Sequence, residues 1–439
     1  MATGYTPSPN TPSAATPGDN RYTYFPLALG VMTTIFFMWG FLTCLNDILI
    51  PHLKAVFELN YFRASLIQFT FFGTYFIMSL PAGVLVKGLG YKKSIVAGLA
   101  VAGVGALGFW PAAASHNYYA FLGALFVLAT GITILQVAAN PYVALLGPER
   151  TSSSRLTLAQ ALNSAGTAIA PIFGGLLILA DTPKTGDEVA KLSAAEQIAY
   201  RAHEASVVQG PYLFLAGVLF VLAILVFLFR MPALDESTEK GDPTHHTLRE
   251  ALRYAHVFFG VLAIFFYVGS EVTIGSFLIN FLQLPNIGNM SQQEASHYVT
   301  AYWTCAMVGR FVGSFLLTKF PPRKLLAVFA SINLVLLLVT ILGSGSIAIY
   351  SVVAIGLFNS IMFPTIFSLG IERMGPLTGK ASSLLIMAIV GGALFPPIQG
   401  YFADHIGLQI AFFVPLIGYA YIVFYGLSGS KIRSAPVTR

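Results

Sequence analysis

Twelve long apolar stretches constrain what this chain can fold into. A helix needs about 20 mainly apolar residues to cross the hydrocarbon core of a bilayer. Such stretches fall at 25–50, 64–86, 94–113, 118–146, 156–180, 211–230, 255–283, 297–318, 324–343, 347–370, 380–403 and 408–428 of the 439 residues. Inside lipid every backbone N–H and C=O must be satisfied internally, which helices of this length do. The expected fold is therefore all-α and membrane-integral, with the lipid bilayer as its first partner. Composition bears this out. Charged residues make up 10% of the chain, against about 25% in a soluble domain. That is too few to cover a solvated surface.

The polar segments then organise the spans. Two long breaks occur, at 181–209 and 231–250, and the second divides the chain into six spans plus six. Eighteen of the 24 Lys and Arg residues lie in the tails and in the loops leading from even to odd spans. Five lie on the opposite side (Lys54, Arg63, Lys184, Lys191 and Arg201), and Arg310 lies within span eight. The positive-inside rule places both termini in the cytoplasm. The expected layout is a disordered cytoplasmic tail at 1–24, a six-helix bundle at 25–230, a cytoplasmic linker at 231–254, a second bundle at 255–428 and a short tail at 429–439. The net charge of +6 is spread over short loops, so no nucleic-acid partner is expected. Residues 1–20 are rich in Pro, Thr and Ser with no apolar core, so they do not read as a signal peptide. Cys44 and Cys305 both sit in apolar runs, which argues against a disulfide or metal framework.

The two halves echo one another. NPYVALLGPER (140–150) and FPTIFSLGIER (363–373) share Pro, Leu, Gly, Glu and Arg at an offset of 223 residues, and they close spans four and ten. APIFGG (170–175) and PPIQGY (396–401) echo in spans five and eleven, and KGLGYKK (87–93) and TKFPPRK (318–324) form basic loops after spans two and eight. A parallel repeat of six spans is the major-facilitator architecture, in which substrate binds near the midplane between two pseudo-symmetric halves. The lysines of GLGYKKS (88–94) lack the glycine spacing of a phosphate loop. The eight histidines are scattered. The chain is therefore expected to be no enzyme and to need no cofactor, and uphill movement would draw on an ion gradient.

Two carboxylates stand inside apolar stretches, Asp47 in FFMWGFLTCLNDILIP and Glu271 in GVLAIFFYVGSEVTIGSFLINFL. A charged group there costs roughly 2.5–3.5 kcal/mol on insertion scales, so it usually faces a cavity or a partner on an ion or substrate path. Asp47 is expected to hold the coupling cation, as H⁺ or as a ligand of Na⁺; the alternative is an interfacial Asp at a solvated helix end. Glu271 is expected in the cavity, accepting sugar hydroxyls or sharing the cation. Its alternative is a structural ion pair with Arg310, which is placed nearer the loop end of span eight. Gln136 with Asn140, and Gln160 with Asn163, share helix faces by their spacing. Amides answer sugar hydroxyls with both donors and acceptors, although polar residues also join helices to each other in membranes. Asn140 precedes Pro141 and equally suits a kink. Asn359 and Gln399 carry the same two readings. Trp303 and Tyr302 are the favoured stacking platforms for a pyranose ring, whereas Tyr267, Phe36 and Trp39 read as packing.

LNDILIP (45–51), AANPYVALLGPE (138–149), LAQALNSAGTAIAPIFG (158–174) and FPTIFSLGIE (363–372) resemble the fucose–proton symporter family of the major facilitator superfamily. FFYVGSEVTIGSFL (265–278), SHYVTAYWTCAMVGRFVGS (296–314) and IMAIVGGALFPPIQG (386–400) look most like its bacterial glucose/galactose permease branch. The resemblance implies that Asp47 is the first-helix carboxylate needed for transport, and that Gln160 and Asn163 contact sugar. In the family's fucose permease a second essential carboxylate precedes AANP. Here that position is Gln136, while Glu271 stands where the permease has a glutamine. The acid has changed sides of the cavity. Some glucose/galactose members are sodium dependent, so the implied coupling ion is Na⁺ or H⁺. The implied function is inward symport of a hexose, glucose or galactose, by a functional monomer in the bacterial inner membrane. Fucose or N-acetylglucosamine is the alternative substrate. A non-transporting sugar sensor is the alternative of another class, and a drug exporter is disfavoured by the amide-rich cavity.

Overall fold

Each apolar stretch is helical over most of its described residues in the computed structural model, which describes residues 26–57, 61–115, 117–177, 191–232 and 247–432. No strand occurs among the described residues. Span one is Pro26–Phe57. Spans two and three form one run, Tyr61–Ala114, broken at Gly90, whose φ is 78°. Glycine takes this left-handed backbone without a Cβ clash, so the break falls within the basic loop. Span four is Tyr118–Leu145 and span five Ser152–Leu177. Span six, Ala194–Leu228, begins well before the expected 211. Ser193 and Glu196 form a capping box there, and the following Ala, Glu and Gln residues favour helix even where they are too polar for lipid.

The second half repeats the order. Span seven is Ala255–Leu282, span eight Gln292–Lys319 and span nine Pro322–Leu342. Span ten is broken into Gly345–Asn359 and Met362–Gly370. Span eleven runs as Thr378–Met387, a 3₁₀ turn and Gly391–Ile406. Span twelve is Leu408–Ala411 and Phe413–Phe424, closing on a π-turn at Tyr425–Gly429.

Small residues bring helices together at equivalent places in the two halves. A Cβ on Gly166 of span five would collide with the Phe37 carbonyl of span one. A Cβ on Gly391 of span eleven would collide with the Phe265 carbonyl of span seven. Lipid supplies no hydrophobic drive between helices, so close backbone approach through such residues does the packing. Arg155 secures the turn from span four to span five. It is buried, and its guanidinium donates to the carbonyls of Val143, Ala144, Gly147 and Pro148. These carbonyls end span four and line the turn after it, and a cation suits the negative end of the helix.

The halves meet at the end of the bundle that carries the basic loops. Ser153 and Ser368 approach to 2.5 Å between hydroxyls. Ser154 donates to the Ser314 carbonyl at 2.8 Å, and Ser314 returns the bond to the Ser154 carbonyl at 2.9 Å. All four serines are buried, so the seam closes that end of the space between halves.

Candidate site between the halves

Glu271 and Arg310 form the centre. Arg310 Nη2 lies 3.9 Å from Glu271 Oε1, and the two side chains are 13% and 15% exposed. The expected separation of the two does not hold. Arginine carries a long stem, which reaches back along span eight to the level of Glu271. Tyr267, one turn earlier on span seven, donates its hydroxyl to Glu271 Oε1 at 2.7 Å. Arg310 also leaves its own half. Its Nη1 donates to the Ser164 hydroxyl and, at 3.4 Å, to the Gln160 carbonyl, both on span five. The pair therefore lies on the seam between halves, and the guanidinium joins spans seven and five.

The amides divide into three situations. Gln136 is buried and donates to the Tyr75 hydroxyl of span two at 2.7 Å. Asn163 donates to the Phe36 carbonyl of span one at 2.9 Å, which ties spans one and five together. Gln160 is buried one turn below Ser164, beside the Arg310 contact. Asn140 and Gln399 differ from these. Both are fully buried, and neither amide atom of either residue has a hydrogen-bond partner among the described residues. Leaving such groups unpaired costs about 1–3 kcal/mol each.

Two expected sugar contacts are corrected. Asn359 accepts at Oδ1 from Asn333 at 2.8 Å and from Tyr419 at 2.7 Å, and it donates from Nδ2 to Tyr302 at 2.8 Å. Its carbonyl also receives the Tyr267 hydroxyl at 3.1 Å. Tyr302 and Asn359 are both 0% exposed. Neither offers a free face to a ligand, because the second half folds around them. They belong to a buried network that backs Glu271 through Tyr267.

Trp303 has the opposite character, at 41% exposed. Its position shares a helical stripe with Arg310 and Ser314, at spacings of seven and eleven residues. The indole lies against Gly275 of span seven, where a Cβ would stand 3.2 Å from the ring. Gly275 is one turn beyond Glu271 on span seven. Phe36 and Trp39 are buried against each other at 5.4 Å, as packing residues. Asp47 lies in span one among side chains outside the described residues.

A twelve-helix fold of two related halves, with an ion pair and amides on the seam between them, defines a membrane carrier. The chain belongs to the major facilitator superfamily, whose family description matches residues 27–389. It is 52% identical over 409 residues to a "Glucose/galactose transporter" of Brucella abortus, covering 93% of this chain and 95% of that one. It is 38% identical over 426 residues to the "L-fucose-proton symporter" of Escherichia coli, covering 96% of each. The crystal structure of the latter, FucP, in the outward conformation superposes with a TM-score of 0.84 at 36% identity, over 92% of this chain and 98% of that one. A bacterial homologue of ferroportin, at 11% identity and a TM-score of 0.70, shares the fold alone.

Arg310 is the residue that sequence reasoning placed least well. A lone arginine in a spanning helix was itself a signal, since such residues face the interior of a bundle and pair there. Ser164, Tyr75, Asn333 and Tyr419 carry no signal of that kind, because hydroxyls and amides are common in membrane helices.

Proposed function

We propose that the chain is a cation-coupled importer of a hexose, glucose or galactose, working by alternating access. The carrying observation is the Glu271–Arg310 pair on the seam, whose guanidinium reaches Ser164 and the Gln160 carbonyl of the other half, with an exposed Trp303 indole on the same span as Arg310. Carboxylate, guanidinium, amide and aromatic face are the groups that a polyhydroxylated ring engages. Relatives that share half of the sequence are named glucose/galactose transporters, which supports the choice of sugar. The coupling ion is the proton. A guanidinium 3.9 Å from Glu271 repels a metal cation at that carboxylate, whereas a proton joins it without competing for space. The E. coli relative is named a proton symporter, which supports the same ion. Asp47 is the second coupling carboxylate.

The bacterial relatives support an inner-membrane protein, and the loop charges support both termini in the cytoplasm. The bundles 25–230 and 255–428 are the two rocking bodies. The path lies between halves of one chain, so the monomer is the working unit.

Uptake of radiolabelled D-glucose and D-galactose into proteoliposomes tests this, with proton and sodium gradients imposed separately. Saturable accumulation driven by acid outside is expected. Accumulation driven by Na⁺ alone would remove the proton. Sugar binding with no transport under either gradient would favour the sensor.

A further inference from the structure

Arg310 is divided between the two halves. Nη1 serves Ser164 and the Gln160 carbonyl on span five, and Nη2 faces Glu271 on span seven. Its Nε has no partner among the described residues. An ion pair at 3.9 Å is looser than a charge-assisted hydrogen bond, which closes to about 2.7–2.9 Å. The guanidinium is therefore held closely at the Ser164 hydroxyl of span five and only loosely at Glu271. The closed seam lets it reach span five. When the seam parts, Glu271 is the partner left in its own half.

We infer that Arg310 is a latch between halves whose grip is set by the charge on Glu271. Ionised Glu271 stabilises the parted state, because there it takes the whole guanidinium. Neutral Glu271 cannot do so, and the latch then favours the closed seam. Such a latch resists passage of the coupling cation without sugar. With Glu271 neutralised and the cavity unfilled, Arg310 holds to span five. Sugar hydroxyls that occupy its donors release it. The inference rests on alternating access between the two halves.

Thiol labelling of the seam tests the latch with neither sugar nor gradient, so its failure leaves the transport reading standing. Ser368 is buried at the seam, 5% exposed. In a Cys44→Ser, Cys305→Ser background, Ser368→Cys reports parting as its labelling rate in purified, full-length protein. In a Glu271→Gln background, where no carboxylate claims the guanidinium, Arg310→Gln is expected to speed labelling about fivefold, the factor for losing one net hydrogen bond of ordinary strength. Glu271→Gln is expected to slow it. Ser164→Ala is expected to speed it less than Arg310→Gln. Opposite signs for the two members of one ion pair are the signature, since loss of a merely structural pair would move both the same way. Shifts of the same sign, or no shift in either, overturn the latch. If Arg310→Gln does not fold, Arg310→Lys, which keeps the charge but not the fork, takes its place with the same expected direction.

Discussion

Gln136 and Asn359 occupy the same place in the two halves, 223 residues apart, and each donates its amide to a tyrosine. Gln136 reaches Tyr75 of span two at 2.7 Å, and Asn359 reaches Tyr302 of span eight at 2.8 Å. The amide–tyrosine link thus survives in both copies of the repeat while its surroundings differ. In the second half, Asn333, Tyr419 and Tyr267 join it, and Glu271 stands at the end of the network.

That asymmetry predicts unequal stability effects. Asn359→Ala strands the partners of three side-chain hydrogen bonds in a fully buried site, at about 1–3 kcal/mol per unpaired group. Gln136→Ala strands one. In thermal unfolding in detergent, Asn359→Ala should lower Tm by several degrees more than Gln136→Ala. Equal losses would mean that the network does not hold the second half together.

The amides of span five separate sugar contact from helix packing. Gln160→Ala should weaken sugar binding roughly tenfold, the effect of one lost buried partner, with little change in Tm. Asn163→Ala also removes the bond to Phe36, so it should lower both affinity and Tm. Titration calorimetry with D-galactose, alongside thermal melts, distinguishes the two. A Gln160→Ala protein with unchanged affinity would remove that residue from the site.

Trp303 should act through its ring. The indole is open and lies against Gly275, one turn beyond Glu271. Trp303→Phe should keep most of the sugar affinity, and Trp303→Ala should lose about 1.5–3 kcal/mol of it, the range for burying a large side chain. Equal affinities for all three proteins would leave Trp303 as a lipid-facing residue.

The carboxylates should govern coupling more than binding. Glu271→Gln should still bind and exchange sugar across proteoliposomes but fail to concentrate it under an acid-outside gradient. Asp47→Asn should behave likewise, because the amide keeps the shape and loses the charge. Full concentrative uptake by either mutant would reject that residue as a coupling group. A loss of affinity with coupling intact would make Glu271 a hydroxyl acceptor instead.

The sequence by itself determined the class of fold. Twelve apolar stretches leave the backbone no alternative to helix in lipid, and the repeat at 140–150 and 363–373 sets the two halves. It also marked Glu271, because an acid in a spanning helix is too costly to be incidental. Tertiary structure decided which polar groups are free. Asn359 and Gln160 are both amides on apolar helices, and no pattern of spacing distinguishes them. Packing satisfies the first with three side chains from its own half, whereas Arg310 takes only the backbone carbonyl of the second. Arg310 was decided in the same way. Its Cα position suggested distance from Glu271, but a long flexible stem lets packing choose where the charge goes. Hydrogen bonds between helices depend on rotation and depth, which hydrophobicity along one strip of sequence does not encode.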